Sequence, residues 1–238
     1  VLGRFLEFSV ATPDIAASFD FYSRLGFAQV PAGDAWPHPY AVLTDGRIHI
    51  GLHATEPDTP QLTFVRPLLL QAADSLERLG IEFDLRRLGS DQFNELGWRD
   101  PGGHRVRLLE ARTFSPARQL TNASLCGDFL EVALAAADAD SAKLWWERLG
   151  FVGLDERDGR LDHICCMSDT LNVGLYAPQA IAAPTLVFEA LALAPLRAQL
   201  ATLGIEPGRT LPQGLNADAA LRLVAPEGTS LLIYGAPG

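Results

Sequence analysis

The chain has 238 residues, enough for one large domain or two of ordinary size, and its 48% hydrophobic content suffices for two cores. Its formal net charge of −10 argues against a general nucleic-acid surface and against anionic membrane, because phosphate binding draws on Lys and Arg. No apolar run approaches the roughly 20 residues of a membrane span. The three cysteines, Cys126, Cys165 and Cys166, lack CxxC spacing and read as reduced thiols, and VLGRFLEFSV enters a strand without a signal-peptide layout, so a cytoplasmic location is expected.

In chain order, Arg4 to Ala11 reads as a strand, and Pro13-Asp14 caps a helix with apolar residues at Ile15, Phe19, Tyr22 and Leu25. Phe27 to Val30, Tyr40 to Thr44 and Arg47 to His53 follow as strands, the last two joined across Asp45-Gly46. A second unit repeats the order. Gln61 to Val65 is a strand, Leu69, Ala73, Leu76 and Leu79 form a helical stripe, and Ile81 to Arg87 is the next strand. A hairpin then closes from Gly97–Asp100 to His104–Leu109 across Asp100-Pro101-Gly102-Gly103. Thr113 to Leu125 reads as a linker. The third unit spans about Gly127 to Ala177 and the fourth Pro184 to Tyr234, whose Ala225-Pro226-Glu227-Gly228 matches the closing turn of the second.

The halves are copies. FLEFSVATPDIAASFDFYSRLGF at 5–27 aligns without a gap on FLEVALAAADADSAKLWWERLGF at 129–151. Leu-Gly-Phe/Ile recurs after each helix, at 25–27, 79–81, 149–151 and 203–205. In each, a helix ends on Leu, Gly takes the left-handed position and an apolar residue opens the next stretch. The expected fold is α+β: four βαβββ units forming two curved mixed sheets, or half-barrels, with helices outside. The expected domains are 1–115 (units 1–57 and 58–115) and 124–238 (units 124–180 and 181–238).

With Asp14…Phe21-Tyr22-Ser23-Arg24-Leu25-Gly26-Phe27, the strand Arg47-Ile48-His49-Ile50-Gly51-Leu52-His53, and Trp98-Arg99-Asp100-Pro101-Gly102-Gly103-His104 leading to Leu108-Leu109-Glu110, the chain resembles the vicinal oxygen chelate superfamily. That superfamily includes glyoxalase I, extradiol dioxygenases and the bleomycin- and fosfomycin-resistance proteins. The resemblance implies a cleft on each inner sheet face. In metal-using members it also implies a divalent ion (Fe, Mn, Ni or Zn) held by residues of the first and last strands of a unit. On this sequence the corresponding places carry Glu7, Gly51, Gln61 and Glu110, and in the second half Glu131, Gly174, Thr185 and about Gly235. The ligand set is incomplete in the first half and nearly lost in the second, and the extradiol dioxygenase pattern of two His and a Glu in the C-terminal half is missing.

Strand alternation places His49 and His53 on the face of Gly51, with Glu7 and Ser9 from the first strand and His104 and Glu110 from the last. Glu7 and Glu110 are the candidate acid–base residues. Ser9, Trp36, His49, His53, Gln61, Phe93, Trp98 and His104 are candidate ligand-binding residues, the aromatics as stacking surfaces. His49 and His53 also read as polar residues on a solvated concave face, the more common fate of a strand His. The first reading is a binder of a small organic molecule without a complete metal site or any committed cofactor. The alternative is a metal-dependent lyase or isomerase with its ion held by Glu7, His49, His53, Gln61 and Glu110. A third reading is a non-catalytic interaction module. Neither a nucleic acid nor a membrane is an expected partner, and either a monomer or a homodimer is compatible with the sequence.

Overall fold

A computed structural model describes residues 1–31, 36, 38–55, 60–111, 124–156 and 161–236. The first half runs β1 (Arg4–Ala11), α1 (Ile15–Arg24), β2 (Ala28–Val30), β3 (Tyr40–Thr44), β4 (His49–His53), β5 (Gln61–Arg66), α2 (Leu69–Arg78), β6 (Leu85–Arg87), β7 (Glu95–Arg99) and β8 (Arg105–Glu110). The second runs β9 (Asp128–Ala135), α3 (Ala139–Arg148), β10 (Val152–Glu156), β11 (His163–Met167), β12 (Asn172–Tyr176), β13 (Thr185–Ala190), α4 (Leu193–Thr202), β14 (Ala220–Val224) and β15 (Ser230–Gly235). Most of the expected linker falls outside the described residues. No helix among those described is long and apolar enough to cross a membrane.

Each half makes one mixed sheet. The first has eight strands in the order β2-β3-β4-β1-β5-β8-β7-β6, and the second seven in the order β10-β11-β12-β9-β13-β15-β14. In both, the first strand of one unit lies antiparallel to the first strand of the next, and each of these pairs in parallel with the last strand of its own unit. The four-unit reading holds with one correction. The fourth unit forms no strand between α4 and β14, so it is βαββ. Pro207, Gly208, Pro212 and Gly214 interrupt that stretch, and prolines donate no ladder hydrogen bond. The strand expected over Ile81 to Arg87 also shortens to Leu85–Arg87.

The helix ends follow from the sequence. Gly26, Gly80, Gly150 and Gly204, each after a helix-ending Leu, take φ of 92°, 83°, 99° and 66°, the left-handed conformation that a Cβ penalises. At the N-termini, Asp14 Oδ1 accepts from Ala17 N (3.0 Å) and Asp138 Oδ1 from Ser141 N (2.9 Å). We expect Asp14→Ala to cost about 1 kcal/mol, the usual worth of such a cap, measured by chemical denaturation. Alternation sends Phe8, Val10, Ile50, Leu52, Leu62, Phe64, Val106 and Leu108 under the helices, into a main core that runs continuously through both halves. Their neighbours face the other way and form the inner face of each sheet.

Candidate functional site

Glu7 and Ser9 lie on the inner face of β1, Gly51 and His53 on β4, Gln61 and Thr63 on β5, and Arg105 and Arg107 on β8. The register sets Ser9 beside Gly51 and Gln61, Glu7 beside Thr63, and Thr63 beside Arg107. Glu7 is 2% exposed and its carboxylate lies across Gly51, where an added Cβ would sit 2.3 Å from Glu7 Oε1. Ser9 Oγ donates to the same Oε1 at 2.7 Å, and Thr63 Oγ1 lies 2.8 Å from Ser9 Oγ. His53, 3% exposed, brings Nε2 to 2.7 Å from Glu7 Oε1, and its Nδ1 lies 2.9 Å from Nε2 of His38.

This arrangement orients the protons. A carboxylate only accepts, so His53 carries its hydrogen on Nε2. With both rings neutral, His53 Nδ1 then accepts from His38 Nε2–H, and His38 Nδ1 keeps a lone pair. Burial, aided by the nearby His53 and Arg107, lowers the His38 pKa and favours this neutral form. Burial likewise lowers that of His49, against the opposing pull of Glu7 and Asp45. A hydrogen bond made at His38 is therefore relayed through His53 to Glu7.

Aromatic rings wall this chain. Tyr40 stacks on His53 with centroids 5.6 Å apart and planes 4° from parallel, and Trp36 meets His53 at 5.1 Å and His38 at 5.6 Å. The Arg107 guanidinium lies over Trp36, 4.7 Å from its centroid, a cation–π contact. Arg107 also pairs with the buried Glu95 through Nε (2.9 Å) and Nη2, and Arg87 Nη1 takes the other Glu95 oxygen at 2.7 Å.

Several expected site residues sit elsewhere. Glu110 shares the parity of Val106 and Leu108, so it turns toward the helix side. Its Oε1 accepts from Leu69 N at 3.1 Å and its Oε2 from Asn94 Nδ2 at 2.5 Å, which caps α2 in place of a local side chain. Trp98, 1% exposed, packs edge-on with Phe83 in the helix-side core. His104 donates from Nε2 to Ala135 O (2.8 Å) between the halves, and Phe93 is exposed before β7. Gln61 is nearly buried on the inner face, and His49 is half-buried there. Reasoning from sequence missed His38, Tyr40, Thr63 and Arg107. The signal for Arg107 was available: Val106 and Leu108 mark the core side, so Arg105 and Arg107 must face the other way.

The donor set does not fit the divalent ion that the resemblance implies. Gly51 offers no ligand, and the space a side chain would need is filled by the Glu7 carboxylate. Glu110 is committed to α2, and Glu7 Oε1 to His53 and Ser9. Among the described residues no cluster of three or more His, Cys, Asp or Glu is placed to hold a metal.

The second half repeats the design with different residues. A Cβ on Gly174 would meet Glu131 Oε1 at 2.2 Å, so Glu131 lies across Gly174 as Glu7 lies across Gly51. Tyr176 replaces His53 and donates its hydroxyl to Glu131 Oε1 at 2.6 Å. His163 replaces Tyr40 and stacks on Tyr176 at 4.3 Å and 7°. The two ring types have exchanged strands. At the places of Ser9 and Thr63 stand Ala133 and Val187. They belong to an apolar cluster with Leu161, Ile181 and Leu232, against which Leu211 and Leu215 pack. The second inner face is therefore filled by the chain's own side chains. Cys166 packs in the helix-side core while Cys165 faces the other way. Burial pushes the Cys126 and Cys166 thiols up to about 12, so neither is an activated nucleophile.

No protein-family model and no curated protein matches the sequence. Solved structures do match. Catechol 2,3-dioxygenase aligns over all of this chain and 89% of its own, with a TM-score of 0.61 and 17% identity. A variant of homoprotocatechuate 2,3-dioxygenase from Brevibacterium fuscum in complex with HPCA aligns over all of this chain and 72% of its own, with a TM-score of 0.64 and 16% identity. The chain has the two-module vicinal oxygen chelate fold. At this identity the likeness establishes architecture, and a vicinal oxygen chelate fold hosts many chemistries, so function rests on the site.

Proposed function

We propose that the protein binds a small organic molecule on the inner face of the first sheet, without a complete metal site. The observation that carries this is the contrast between two copies of one design. Both keep a buried Glu across a Gly. The first surrounds it with the hydroxyls of Ser9 and Thr63, two linked histidines, an indole and an arginine, whereas the second sets one tyrosine hydroxyl and His163 beside it and otherwise packs Ala, Leu, Ile and Val around it. A polar inner face costs stability unless its groups are bonded, and a copy serving only as scaffold is free to replace it with apolar packing. The same reading takes 1–115 and 124–238 as the duplicated units and sets the protein in the cytoplasm. It also keeps extradiol dioxygenase chemistry disfavoured, since Glu131 is committed to Tyr176.

The test is a fragment screen by thermal shift, followed by backbone-amide NMR, on protein purified without chelator. A ligand at a hundredfold excess over its Kd adds about 2.7 kcal/mol to the folded state, and its amide shifts are expected at Ser9, Tyr40 and Gly51. Stoichiometric Fe, Mn, Ni or Zn that disappears in Glu7→Gln protein would overturn the metal-free part. A screen without a hit on these amides would overturn the binding part.

A further inference from the structure

The duplication builds the contact between the halves twice, and the two copies differ. The turn after β7 and the turn after β14 have the same backbone. Asp100 N bonds His104 O and Gly103 N bonds Asp100 O, each at 2.9 Å; Ala225 N bonds Thr229 O and Gly228 N bonds Ala225 O, each at 2.9 Å. The first turn presses on the end of β9: His104 reaches Ala135 O, and a Cβ on Gly102 would come within 2.6 Å of that oxygen. The second turn faces the end of β1, where Ala11 corresponds to Ala135. It carries Glu227 in place of Gly102 and the shorter Thr229 in place of His104. There the halves stand apart around a cavity of about 770 Å³, lined among others by Thr12, Pro13, Thr55, Pro184, Glu227 and Thr229.

Its size lies in the usual range for small-molecule pockets, ~300–1,000 Å³. Glu227 is the sole charged residue among the described residues that line it. One carboxylate oxygen accepts the hydroxyl of fully buried Tyr22 at 2.7 Å. The other is buried with no hydrogen-bond partner among the described residues. A carboxylate so placed is left underbonded, a state relieved by a cationic donor. The rest of the lining is mainly Pro, Ala, Val, Phe and Thr, which suits an apolar body. We infer that this cavity is a second binding site, taking a small organic amine with its ammonium on Glu227 and its apolar part between the two halves.

Benzylamine, benzyl alcohol and benzoate share a ring and differ in charge, so they serve as probes for titration calorimetry and amide NMR at pH 7. Benzylamine is expected to bind about tenfold more tightly than the alcohol, as a charge-assisted hydrogen bond warrants. Benzoate should not saturate, and the shifts should fall on Thr12, Gly228 and Thr229. Glu227→Gln, which still accepts from Tyr22, should abolish the preference for the amine. Ala183→Trp, at an exposed position on the cavity wall, should block all binding with the fold retained. Equal affinity for amine and alcohol, an unchanged preference in Glu227→Gln, or no binding by any probe would overturn the inference. Shifts confined to Ser9, Tyr40 and Gly51 would do so while leaving the proposed function of the first inner face intact.

Discussion

Gly51→Ala is expected to destabilise the protein by about 3 kcal/mol, which for a chain of this size lowers Tm by ~6–12 °C. The new Cβ would lie 2.3 Å from Glu7 Oε1 and 2.4 Å from its Cδ. A carboxyl group at the end of an exposed side chain would swing aside. This one is buried and held by His53 Nε2 and Ser9 Oγ, so moving it breaks both bonds and leaves their donors unpaired. The equivalent Gly174→Ala should cost no less, because its Cβ would also meet Tyr176 Cε2 at 2.6 Å, and that ring is stacked on His163. The decisive comparison is a double-mutant cycle. If Glu7 is what obstructs the alanine, Gly51→Ala in a Glu7→Ala background should cost at least ~1 kcal/mol less than in the parent. Equal costs in both backgrounds, measured by denaturant unfolding, would mean that Gly51 is retained for some other reason.

That pair also shows why sequence reading reached some of the site and not the rest. The repeat, the helix caps and the strand alternation are local and periodic. They place Glu7, Ser9, Gly51 and His53 on one face correctly. Gly51 at the expected ligand position reads from sequence as a simple deletion of a ligand. Only the register of β1 against β4 reveals it as the space that a buried carboxylate occupies. Glu110 is set on the inner face by the family resemblance, whereas Val106 and Leu108, of the same parity, mark that side of β8 as core. His38 and Trp36 come from a stretch with no periodicity, PAGDAWPHP, so nothing local points them at His53. Glu227 looked like turn punctuation, and its meaning appears only when the second turn is set beside its closed counterpart at Gly102.

The exchange of ring types between the halves yields the other large effect. His53→Phe removes the donor to Glu7 and leaves, among the described residues, a buried carboxylate held by Ser9 alone. Leaving a buried charged acceptor without its donor costs about 3 kcal/mol. His53→Tyr is a larger change in volume, but the second half already demonstrates the outcome: Tyr176 bonds Glu131 at 2.6 Å across Gly174 and stacks on the ring of the neighbouring strand. Tyrosine at 53 should therefore recover most of what phenylalanine loses, leaving a deficit within about 1.5 kcal/mol. A tyrosine has no second nitrogen for His38, so the chain from Glu7 to His38 is cut although the fold survives. If the first inner face acts through His38, His53→Tyr protein will melt near the parent temperature yet bind its fragments weakly. If Tyr and Phe at this position prove equally destabilising, the two halves do not share one design, and the contrast on which the proposed site rests is lost.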